Sequence, residues 1–170
     1  MIIDYANHQE RNDFMDIFLA STSKFVIGTS SGFWTAASFF NTPLLMTNYL
    51  PFLDYYAFNQ QSIFLPKTVV NENKNIISLY DSYSLSKFGF AVTSSQFKIK
   101  KKMVLENSED EILKGVKEMF SLLSKKSIEK NKFINLNKSF KNNFFKEKYF
   151  DNNKLIPLAN FSSSFIKKYL

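Results

Sequence analysis

Between Lys24 and Met46 the chain switches from strand-like to helix-like spacing and back again. Phe25-Val26-Ile27 is a short, β-rich apolar block, the pattern of a strand covered on both faces. Gly28-Thr29-Ser30-Ser31-Gly32 supplies a tight turn of small residues. Apolar positions then recur at helical spacing from Phe33 to Phe40. Asn41-Thr42-Pro43 stops that helix, and Leu44-Leu45-Met46 resumes strand character. The spacing is that of a β-α-β unit.

Around this unit the pattern predicts further elements of both kinds. Ile2 to Ala6 reads as a strand, and Asp13 as the cap of a helix over Phe14 to Ser21. The apolar face of that helix, with Phe14, Ile17 and Phe18, is expected to pack on a sheet. Ser62 to Lys67 reads as a strand closed by Pro66, Asn71 to Asn75 as a turn, and Leu79 to Phe88 as a helix. Lys101 to Leu105 is a further strand. The acids Glu109-Asp110-Glu111 then open a helix running to about Leu123, as a helix dipole prefers. After Lys125 the sequence predicts an irregular helix to about Tyr149, a loop at Pro157 and a short helix from Ser162 to Tyr169. Strands alternating with helices imply an α/β fold with a parallel, Rossmann-like, helix-flanked sheet.

Composition narrows the class. The 170 residues suit one domain with a real core, and a hydrophobic content of 45% argues against general disorder. Cysteine is absent, which removes disulfides, thiolate metal sites and a thiol nucleophile. No signal peptide is legible, and no apolar run reaches the roughly 20 residues that span a membrane. The expected location is cytoplasmic, or peripheral at the inner membrane face. Residues 1–100 carry seven basic and seven acidic side chains, whereas residues 101–170 carry 15 Lys against eight acids. The whole net charge of +7 therefore lies in the C-terminal part. Residues 1–124 are read as a Rossmann-like α/β domain and 125–170 as a basic, Phe-rich helical tail packing on or beside it.

Several residues offer chemistry, each with a plainer alternative. Gly28, Thr29, Ser30, Ser31 and Gly32 precede a helix, where backbone N–H groups and hydroxyls suit a phosphate. The same residues also simply make a turn. Asp13 and Asp16 share a helix face, and Asp16 could serve as a base or simply meet solvent. His8, the chain's one imidazole, sits on a polar connector and is the other candidate base. Asn48 and Lys67 follow predicted strands and could meet a diphosphate, or stand as a turn residue and a surface lysine. One His, no Cys and no Asp-x-Asp provide no metal cluster, so no metal cofactor is expected. The Lys and Phe residues of the tail fit a solvated covering helix better than a nucleic-acid module, with weak membrane-surface contact as the second reading.

Taken together these residues resemble the C-terminal part of a bacterial glycosyltransferase family of the two-Rossmann (GT-B) type, linked to surface-polysaccharide synthesis. The resemblance rests on Ile3-Asp4-Tyr5-Ala6, Asn12 to Leu19, Phe25 to Gly32, Pro43 with Thr47-Asn48, and Phe64-Leu65-Pro66-Lys67. Weaker echoes are Glu106 to Ile112 and Phe165 to Leu170. It covers residues 2–120 well and 125–160 thinly.

The resemblance implies a donor-binding half that transfers a sugar from a nucleotide-diphosphate donor to a glycan or lipid-linked acceptor. Gly28 to Gly32, Asn48 and Lys67 would hold the donor without a metal. Family members carry a whole preceding domain, so the resemblance also implies an N-terminally truncated protein, served by a separate chain bearing that domain. A degenerate fragment acting as a binding or interaction module, or half of a split enzyme, is the alternative.

Overall fold

A computed structural model describes residues 2–29, 31–49, 59–86, 95, 101–125, 128–144 and 158–170. Four strands form a parallel sheet among these residues: β1 (Val26–Gly28), β2 (Leu44–Tyr49), β3 (Ile63–Pro66) and β6 (Asn160–Phe161), in the spatial order β1-β2-β3-β6. A separate antiparallel pair joins β4 (Thr68–Asn71) to β5 (Lys102–Leu105). The helices are α1 (Asp13–Thr22), α2 (Phe33–Phe39), α3 (Leu79–Ser86), α4 (Glu109–Leu123), α5 (Ile128–Phe144) and α6 (Ser163–Ile166). The α/β class and the helix-flanked parallel sheet agree with the sequence pattern.

Strand β2 lies at the centre of this arrangement. Leu44, Leu45 and Met46 are all fully buried, as are Ile63, Phe64 and Leu65 beside them on β3. Leu44 and Met46 join the cluster that holds Ala37 of α2, while Leu45 joins Met119 and Leu122 of α4. Side chains alternate across a strand, so helices are needed on both faces of the sheet. Gly115 brings α4 close: a Cβ there would meet Leu45 Cδ1 at 3.1 Å.

The start of α4 shows why its prediction was secure. Ser108 accepts from the Glu111 N–H, and Glu111 accepts from the Ser108 N–H at 2.9 Å, a reciprocal capping box. The other Glu111 oxygen meets Lys168 Nζ at 2.5 Å, and Lys168 also donates to Thr68 Oγ1 at 2.7 Å. One carboxylate thus ties the C-terminal segment to α4, and Lys168 extends the link to β4.

Helix α5 covers the far edge of the sheet. Phe133 and Phe140 turn inward, and the buried Asn137 sits between them. Asn160 and Ser162 donate their N–H groups towards β3, which leaves the N–H and C=O of Phe161 facing outward. Asn137 takes both: its Oδ1 accepts from Phe161 N at 2.6 Å and its Nδ2 donates to Phe161 O at 3.0 Å. The amide replaces the missing neighbouring strand.

Three expectations are corrected. Ile2 to Ala6 is not a strand; it runs into a 3-10 turn at Tyr5–Asn7, with Ile2 and Ile3 exposed. The cap of α1 is Asn12, whose side chain accepts from Met15 N, not Asp13, which is already helical. Phe14, Ile17 and Phe18 do not pack on the sheet: α1 lies against α2, and this face stays open. The expected strand over Lys101 to Leu105 is present but belongs to the antiparallel pair. The predicted loop at Pro157 and the stretch from 145 to Tyr149 lie outside the described residues.

Two stability outcomes follow. Asn137→Ala strands two buried backbone groups, at about 1–3 kcal/mol for each. Urea unfolding should show a loss of at least about 2 kcal/mol, against no change for the exposed Asn135→Ala. The Glu111 carboxyl is the second case. Burial pushes its pKa up, but the hydrogen bonds and charge of Lys168 and the Ser108 contacts outweigh burial and hold it below the ordinary 4.5. A depressed carboxyl contributes stability above its unfolded pKa and loses it as pH falls through the folded one. Glu111→Gln keeps a capping-box residue while removing the charge, so melts below pH 4.5 should lose a smaller part of their neutral-pH stability than in the parent.

Candidate functional site

Ligands in open α/β sheets gather outside the carboxyl ends of the strands. At that edge the chain places Gly28, the turn after it, Thr47-Asn48, Lys67 and the loop Glu106-Asn107-Ser108.

The turn that ends β1 is held from one side. Thr47 Oγ1 donates to Gly28 O at 3.2 Å, locking β1 to β2 just before the chain leaves the sheet. Ser31 N then donates to Thr29 O at 2.6 Å. Thr29, Ser31 and Gly32 are exposed, and Ser30 lies outside the described residues. Gly32 is the N-cap of α2, with φ −61° and ψ −21°, and provides no side-chain cap. A Cβ on Gly32 would meet nothing within 4 Å. Neither backbone conformation nor packing requires glycine there. A Cβ on Gly28 would make ordinary contacts, 3.5 Å from Met46 Sδ and 3.7 Å from Trp34 Cβ.

Asn48 and Lys67 have partners of their own. The β2–β3 register shifts between Thr47 and Tyr49, which makes Asn48 a bulge, in the left-handed region at φ 51°. Asparagine tolerates that conformation better than most side chains. Its N–H donates to Asn107 Oδ1 at 2.5 Å, its Oδ1 accepts from Asn107 N at 2.6 Å, and Asn107 Nδ2 donates to Pro66 O at 2.9 Å. Asn107 therefore joins the ends of β2 and β3 to the start of α4. Lys67 Nζ forms an ion pair with Glu106 at 2.5 Å, and the Lys67 N–H donates to Tyr49 O at 3.2 Å. The sequence pattern marked Asn107 only as a residue before a helix start; its partners Asn48 and Pro66 are 59 and 41 positions away.

The two candidate bases stand apart from this clip. His8 is exposed, and its Nδ1 accepts from Glu10 N at 3.2 Å. Asp16 belongs to a local cluster with Tyr5, Arg11 and Asn12. Desolvation, followed by the hydrogen bond and charge of Asp16, raises the Tyr5 phenol above 10.0, against the opposing effects of Asn12 and Arg11. No group of three His, Cys, Asp or Glu that could hold a metal occurs among the described residues. None of their helices is long and apolar enough to cross a membrane.

A cavity of about 440 Å³ lies elsewhere, lined by Ile77, Leu79, Phe140, Phe144, Lys168 and Tyr169. Burial pushes the Tyr169 phenol up to about 12, against the side-chain hydrogen bond of Ser82.

No protein-family model, curated protein or solved structure matches the chain.

Asn107→Ala should be the most damaging single change at this edge. It removes the acceptor for the Asn48 N–H and the donor to Pro66 O, a loss of about 2–4 kcal/mol in chemical denaturation. Glu106→Ala, on the exposed side of the same loop, should cost less than about 1 kcal/mol.

Proposed function

We propose that the chain is the donor-binding portion of a glycosyltransferase, transferring a sugar from a nucleotide-diphosphate donor to a glycan or lipid-linked acceptor. The observation that carries this reading is the turn Thr29 to Gly32. It leaves the carboxyl end of a parallel strand with Thr29, Ser31 and Gly32 exposed, at a glycine whose Cβ position meets nothing within 4 Å. The resemblance to GT-B donor domains supplies the ligand class. Backbone N–H groups and the Thr29 and Ser31 hydroxyls would stabilise charge developing on the departing diphosphate. No metal is invoked, and the acceptor site and general base would lie in the other domain of such an enzyme.

A second reading, a non-catalytic binding module, is favoured by one observation. Asn48 and Lys67 are committed to Asn107 and Glu106, so neither is offered freely to a ligand. On the donor reading Lys67 screens the site at a distance and the turn holds the diphosphate.

Thermal melts with UDP, GDP, ADP, CMP and dTDP separate the two. Ligand at 100 times its Kd adds about 2.7 kcal/mol, which for a chain of this size raises Tm by roughly 5–10 °C. One nucleotide should do so for the parent protein and fail for Ser31→Asp, whose melt without ligand should be unchanged. Gly32→Ala should likewise fold normally and bind more weakly. A cooperative melt that no nucleotide shifts would remove the donor reading and leave the binding module.

A further inference from the structure

The chain carries two uncovered apolar surfaces of complementary character. One is the outer face of α1, where Phe14 and Phe18 stack at 6.0 Å beside Ile17; these side chains are 72%, 45% and 48% exposed. Asp13 lies one turn before Ile17 on the same face, and the helix carries no basic residue.

The other surface flanks β1. Among the described residues nothing pairs with the outer edge of this strand. Phe25 and Ile27 alternate with Val26 and so point to the α4 side of the sheet, where Phe25 meets Phe120 edge-on at 5.4 Å. Helix α4 sits over β2 and β3, leaving Ile27 50% exposed. Leu113, Lys117 and Phe120 share the neighbouring helix stripe, with Leu113 and Phe120 51% and 53% exposed. Lys24 Nζ lies 5.5 Å from the Phe120 ring. This flank is apolar with Lys24 and Lys117 beside Phe120 and with Glu109 one turn before Leu113, and α1 is apolar with an acid at its rim.

We propose that a second copy of this chain covers both surfaces, the α1 face of each copy seating on the β1–α4 flank of the other. Charge and area both favour this occupant. Asp13 would approach Lys24 and Lys117, and the exchange repeats across a two-fold axis, as an isologous interface requires. The six apolar side chains expose the equivalent of about three whole large residues, on the order of 500 Å² per copy. The apolar share of a standard interface of ~800 Å² per partner, a little over half, is about that size. None of the six apolar side chains belongs to the Thr29 to Gly32 turn, and mass reads association independently of nucleotide binding.

Sedimentation velocity of the purified full chain reads the outcome directly. The expected mass is twice 19.8 kDa at micromolar concentration. Phe18→Lys or Ile27→Lys should weaken association about tenfold or more. Asp13→Lys and Lys117→Glu should each weaken it, and the two combined should restore it. Circular dichroism should stay native throughout, because all these positions are exposed. The absence of cysteine permits a second measurement that leaves the charges alone. Phe14→Cys with Phe120→Cys should cross-link into a covalent dimer on oxidation, whereas either change by itself should cross-link far less. A mass of 19.8 kDa at every concentration, or a dimer indifferent to Phe18 and Ile27, would overturn the proposal.

Discussion

Strand β2 has no exposed face, and the rest of the architecture answers to that. A parallel strand buried on both sides must be apolar at successive positions and have helices above and below. Leu44, Leu45 and Met46 meet the first condition, and α2 and α4 meet the second. Each fully buried side chain of this kind contributes about 1.5–3 kcal/mol. Gly115 matters for the same reason, since its missing side chain lets α4 approach Leu45.

Where hydrophobic burial ends, asparagine amides take over as substitutes for backbone. An amide carries one acceptor and two donor hydrogens, so it can occupy the place of a peptide group in a ladder. Asn107 does this for the bulge at Asn48 and for Pro66, and Asn137 does it for Phe161 on the far edge. Both amides are buried, where unpaired groups are costly. The chain's abundance of asparagine is thus partly a structural device.

Much of this fold was legible in the chain. The Phe25 to Met46 unit and α4 were readable because each carries its own signals: an apolar run, a small-residue turn, a proline stop, acids in a first helical turn. Strand β4 was passed over because its four residues follow β3 after a single position, Lys67, leaving no turn to mark a new element. Strand β6 is two residues long, too short to display any period. The N-terminal segment failed differently: Ile2 and Ile3 have strand propensity but no strand beside them. At the candidate site the turn Thr29 to Gly32 was visible from its small residues. The commitments of Asn48 and Lys67 were not, because their partners come from another element.

The sequence by itself determined the β1-α2-β2 unit, β3 and α4, and which small-residue turn stands at the end of β1, because those choices depend on neighbours within a few residues. The tertiary structure alone decided which faces are covered. It buried Asn137 while leaving Phe14 and Phe18 open, and it paired residues 59 positions apart in the Asn48–Asn107 clip. Periodicity says that a face is apolar; what lies against it depends on how distant segments meet. Hydrogen-bond partners brought in by folding leave no trace in local spacing.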